Sequence, residues 1–83
     1  MKNATNLQVN IARKLGLDDV STDSYIVAAA KIESAVYEAL NPGMRRRKAT
    51  DKQLGFLEAL GIQTEIRDFI IVSALIEDEL QKR

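Results

Sequence analysis

A chain of 83 residues has room for one domain and one core, and a core of that size leaves a thin stability margin. Hydrophobic residues at 46% exclude a disordered chain, and twelve basic against twelve acidic side chains give zero net charge, so any attraction to nucleic acid or membrane has to be local. The chain has no cysteine and no histidine, which removes disulfides, thiolate or imidazole metal sites and the usual nucleophile–base pairs.

The first element is a helix opened by Thr5-x-x-Gln8, which reads as a capping box, and closed by Gly16 at the left-handed position that ends helices. Ala12 and Leu17 are then the apolar pair that bridges such a stop. Ser21, Thr22 or Asp23 caps a second, longer helix running to about Leu40, where Asn41-Pro42-Gly43 stops it. Tyr25, Ala29, Ile32, Val36 and Leu40 recur along it at spacings of three and four, which predicts a core stripe. A basic loop, 41–48, follows. Thr50-x-x-Gln53 opens a third helix and Gly61 closes it, with Leu57 and Ile62 as the apolar pair. Thr64 caps a fourth, reaching about Gln81 with a stripe of Ile66, Phe69, Ser73, Ile76 and Leu80.

The first and third helices match when residues 4–17 are laid over 49–62, and the second and fourth when 25–36 are laid over 69–80. Nine of these 26 pairs are identical and most others keep their apolar or polar character. The expected fold is therefore all-α, a single domain of two tandem helical hairpins related by internal duplication and packed as four helices. Repeat one covers about 4–40 and repeat two about 49–83.

Differences between the repeats are the functional clues. The second is preceded by Met44-Arg45-Arg46-Arg47-Lys48, with Lys52 one turn further on, whereas the first has only Lys2 in the corresponding place. Cations at a helix N-terminus oppose the helix dipole, so local folding gives no reason for them. Arg45, Arg46, Arg47, Lys48 and Lys52 form a candidate phosphate-binding arm for DNA or RNA backbone. Docking on an acidic protein and a solvated linker are the other readings. A helix-turn-helix reader stays open, with the helix after Thr50 or after Thr64 in a groove, but the apolar content of the last helix argues that it is buried. The spacing of Tyr25, Phe56 and Phe69 assigns them to the core, which disfavours a base-stacking platform.

Ile71 and Leu75 replace Val27 and Lys31 of the first repeat and widen the apolar surface of the last helix. They read either as packing on a second neighbour or as a seam for a homodimer or partner protein. No catalytic constellation, metal-ligand spacing or phosphate-cradling glycine loop is present, so a non-enzyme without cofactors is expected. Glu33 and Glu77 read as surface ion-pair members, and Glu77-Asp78-Glu79 as a solvated end. No apolar run reaches the ~18–20 residues that span a bilayer, and Arg13, Lys14, Asp18 and Asp19 interrupt any signal-peptide core, so no membrane partner and a cytoplasmic location are expected.

The stretch Lys48-Ala49-Thr50-Asp51-Lys52-Gln53-Leu54-Gly55-Phe56-Leu57-Glu58-Ala59-Leu60-Gly61 resembles a capped helical segment, A-T-x-K-Q-x-x-x-L-x-x-L-G, found in phage and bacterial proteins of nucleic-acid metabolism. The resemblance implies a prokaryotic or phage accessory factor and brings no assigned binding residues with it. The first repeat departs from the pattern, with Leu7 where the segment has lysine; if lysine matters, only the second repeat is functional. The leading expectation is a small accessory or regulatory protein that binds nucleic acid through the basic loop. The alternative is a protein-interaction module, an adaptor or phage-type inhibitor, that uses the apolar face of the last helix.

Overall fold

The computed structural model describes residues 3–43 and 47–83. Its helices are α1 (Asn6–Lys14), α2 (Tyr25–Leu40), α3 (Asp51–Ala59) and α4 (Phe69–Gln81). Both short helices begin and end by the same local chemistry. The Thr5 hydroxyl accepts from the Gln8 N–H at 3.1 Å while Gln8 Oε1 accepts from the Thr5 N–H at 2.9 Å, and Thr50 and Gln53 make the same two bonds at the same lengths. At the other end, Gly16 and Gly61 take φ of 76° and 77°. Leu17 N–H then reaches back to Ala12 O at 3.0 Å, and Ile62 N–H to Leu57 O at 2.9 Å, closing a Schellman stop in each case.

Because the cap satisfies donors that no other group reaches, Thr50→Ala is expected to cost about 1 kcal/mol, a fall in melting temperature of roughly 4–8 °C. Thr50→Ser, which keeps the hydroxyl, should melt near the wild type in the same calorimetric scan.

The long helices start later than the sequence reading places them. The caps are Ser24 and Asp68, not Ser21, Thr22 or Asp23 and not Thr64. The residues ahead of each cap are held extended by chain far away in sequence. Ala4 N–H donates to Asp23 O at 3.0 Å and Ala49 N–H to Arg67 O at 2.8 Å, within antiparallel bridges pairing Asn3 with Ser24 and Lys48 with Asp68. Asp23 instead pairs with Lys31 at 2.7 Å, and the Thr64 hydroxyl accepts from Ile66 N–H, so Ile66 lies outside α4.

In the packing, α2 lies against α4, α1 against α2 alone and α3 against α4 alone. The Ser34 hydroxyl donates to Asp68 Oδ2 at 2.8 Å, which puts the start of α4 beside the middle of α2. A groove shared by residues 25–33 of α2 and 69–77 of α4 requires the two helices to run antiparallel. Since α1 and α3 do not meet, the four helices make no closed bundle but a broad, thin body of 34 × 32 × 15 Å.

Which faces are buried also departs from the predicted stripes. On α2 the buried residues are Val27, Ala28, Ala30 and Ser34, while Tyr25, Val36 and Leu40 of the expected stripe are exposed, Leu40 by 75%. Phe56 is exposed as well and Phe69 is half-buried, so the aromatic side chains do not form the core. The core instead joins Ala12 of α1, Val20 of the turn and Ala28 of α2, with Leu57, Val72 and Ala74 buried in the α3–α4 half. The alanines among them, Ala12, Ala28 and Ala74, let the helix backbones approach closely. Asp78 is not a solvated end either: it is buried, 3.2 Å from Lys82, and its Oδ1 has no hydrogen-bond partner among the described residues.

Candidate nucleic-acid interface

The basic segment enters the described structure at Arg47; Arg45 and Arg46 lie outside the described residues. From Arg47 onward the backbone is fixed. Phe69 N–H donates to Arg47 O at 2.9 Å and Ala49 N–H to Arg67 O, so residues 47–49, with Lys48 between the two bonds, are strapped against the start of α4. The Arg47 guanidinium lies 4.2 Å from the centroid of the Phe69 ring, a cation–π contact that orients it while leaving its N–H edges open. Lys48 and Lys52 are exposed, and neither has a carboxylate at ion-pair distance among the described residues. Lys52 stands in the first turn of α3, beside Asp51.

Asp68 and Phe69 are the parts of this site that sequence reasoning missed. Asp68 accepts from the N–H groups of Ile70 and Ile71, and from Ser34, and so fixes where α4 begins. Phe69 supplies the surface on which Arg47 rests. The signal that could have found Asp68 is the alignment of residues 25–36 with 69–80, which, carried back by one residue, lays Asp68 over Ser24, both of them cap-forming types. The capping glutamines add a cross-tie. Gln53 Nε2 donates to the Ser73 hydroxyl at 2.8 Å and Gln8 Nε2 to Tyr25 O at 3.3 Å, which binds each short helix to its long one.

Two concavities flank the strap. An open groove of about 890 Å³ runs along α3 and the turn after it, with Asp51, Glu58 and Glu65 on its walls. Arg67 also lines it, but its Nη1 is engaged by the carbonyls of Thr64 and Ile66. That groove is acidic in character and unsuited to a phosphate. The second, about 440 Å³, lies between α2 and α4 and is mainly apolar, with Glu33 and Glu77 on it. Both glutamates are exposed and have no ion-pair partner among the described residues, contrary to the sequence expectation. Ile71 and Leu75 are half-buried, on the opposite side of α4 from this groove by helical spacing. Asp19, in the turn before α2, is held below the ordinary carboxylate range, first by the backbone N–H of Ser21 and then by its hydroxyl; it lies far out in solvent and plays no part in either groove.

Among the described residues, no group of three or more acidic side chains is placed to hold a metal ion, and no helix is long and apolar enough to cross a membrane. No protein-family model matches the chain, and neither the curated proteins nor the solved structures contain a match to it.

Proposed function

We propose that the chain is a small non-enzymatic accessory protein that holds nucleic-acid backbone through Arg45, Arg46, Arg47 and Lys48, with Lys52 extending the contact along α3. The observation that supports this reading most is the strap. A solvated linker needs no fixed backbone, yet Arg47 and Ala49 are tied to Phe69 and Arg67 by main-chain bonds that bracket Lys48, while the charges of Arg47 and Lys48 stay exposed with no carboxylate at ion-pair distance among the described residues. Cations held in place lose less conformational entropy on meeting phosphates than cations on a loose arm. The mechanism is counterion release, so affinity depends on salt and little on sequence.

We also read α1–α2 and α3–α4 as two copies of one helical hairpin. Support comes from the nine identical pairs and from cap, stop and bridge bonds that recur 44 or 45 residues apart. Only the second copy carries the charged strap, in line with the resemblance of residues 48–61 to segments of phage and bacterial nucleic-acid proteins.

The test is fluorescence anisotropy with duplex DNA, single-stranded DNA and RNA at low and physiological salt. Binding at low salt to more than one sequence of the preferred type is expected. No binding to any of the three at low salt rejects the reading and leaves the protein-interaction module, which one observation favours on its own account: the open apolar side of α2 and α4.

A further inference from the structure

Apart from Phe69, whose ring carries Arg47, the exposed side of the α2–α4 pair has a character that the nucleic-acid reading neither uses nor requires. At 100° per residue, Tyr25, Ala29, Ile32, Val36 and Leu40 share one face of α2, and Phe69, Ser73, Ile76 and Leu80 share the matching face of α4. Ile32, at one edge of that face, packs against the core, yet Leu40 is 75% and Tyr25 46% exposed, and on α4 Leu80 is 49% exposed. A stripe patterned for burial whose ends the single chain leaves open marks an interface.

The face also matches itself. The groove running along it takes its lining from positions of α2 and α4 that correspond 44 residues apart, Tyr25 with Phe69, Ile26 with Ile70 and Ala30 with Ala74 among them. An interface between identical chains about a two-fold axis uses the same patch twice, and a patch whose two halves already correspond meets that demand in more than one register. The surface area points the same way. The chain exposes 6011 Å², whereas a folded monomer of its 9.2 kDa mass is expected to expose about 4,900 Å². The excess is comparable to the roughly 800 Å² that each partner buries in a stable interface of standard size.

We infer that two copies of this chain pack face to face through the open side of α2 and α4, each covering Tyr25, Val36, Leu40, Phe69 and Leu80 of the other. The pairing supplies the second helical layer that the single chain lacks. Ile71 and Leu75, on the other side of α4, stay out of this seam.

Sedimentation equilibrium of the whole chain over a wide concentration range tests it. The wild type is expected at twice the 9.2 kDa of one chain. Val36→Glu with Leu40→Glu alters residues already exposed in the single chain, so helical circular dichroism at low temperature should be kept while the mass falls to that of one chain. Leu7→Glu, on α1 and outside the face, should leave the dimer intact. A wild type of single-chain mass at every concentration overturns the inference, including the case in which a basic amphipathic peptide from another source binds the face instead. A Val36→Glu/Leu40→Glu variant that stays dimeric overturns it too, as does loss of the dimer with Leu7→Glu.

Discussion

Replacing Arg45, Arg46, Arg47 and Lys48 together by alanine is expected to weaken nucleic-acid binding at low salt by roughly a hundredfold or more, because four of the five proposed phosphate contacts go with them. The fold should survive. The bridge at Lys48 uses only main-chain atoms of Arg47 and Ala49, which the substitutions leave in place. Loss of the contact between Arg47 and the Phe69 ring costs about 0.5–1 kcal/mol at an exposed site. Removing cations from the approach to α3 relieves their repulsion by the helix dipole, at a few tenths of a kcal/mol each, and offsets much of that loss. Stability close to the wild type with binding lost is therefore the combination to look for, by thermal melting and anisotropy on the same sample. Unchanged binding would remove the segment from the interface whatever the protein's other properties.

The largest effect on stability is expected at Leu57. Its side chain is 4% exposed on the inner face of α3, where it is the one residue of that helix fully withdrawn from water. Leu57→Ala should cost about 2–5 kcal/mol, the range for truncating a core leucine. A domain of this length has about 4–12 kcal/mol in total, so the variant should be partly unfolded at physiological temperature. Phe56→Ala, one position away and 42% exposed, should cost far less despite the larger side chain removed. Urea unfolding followed by circular dichroism compares the two. A greater loss from Phe56→Ala would mean that α3 presents the other face to α4.

The contrast between those neighbours shows what the sequence could and could not convey. Helix caps and stops are decided within five residues, by a threonine hydroxyl, a glutamine three residues on and a glycine that tolerates positive φ, and Thr5, Gln8, Gly16 and their counterparts were legible for that reason. The end of α2 at Leu40 followed from similar punctuation in Asn41-Pro42-Gly43. The starts of the two long helices did not. Ser24 and Asp68 cap them because Asp23 and Arg67 are committed to bonds with Ala4 and Ala49, some twenty residues away, and no local pattern reports that.

Periodicity has a related blind spot. It shows that a helix has an apolar face and leaves open what that face meets. On α2 Tyr25, Val36 and Leu40 of the predicted stripe are exposed, while the buried positions are Val27, Ala28, Ala30 and Ser34, of which all but Val27 are too small or too polar to stand out. Ser34 has its reason in Asp68, to which it donates. At the matching position of α4, Asp78 is buried with its Oδ2 3.2 Å from Lys82 and its Oδ1 unpartnered among the described residues. As for the candidate site, its charges were plain in the sequence as far as Arg47, Lys48 and Lys52. The Phe69 ring under Arg47 was not, because its spacing assigned it to a core.

The salt dependence of the wild-type protein's affinity for its preferred nucleic acid bears most directly on the proposal that Arg45–Lys48 and Lys52 grip phosphates. Five such contacts predict that log K falls with log salt at a slope of about −4.5 on duplex DNA and about −3.5 on a single strand. Lys52→Ala should flatten either slope by about one. Binding whose strength does not change with salt would contradict the account, since it would have to come from contacts other than the cations of the strap.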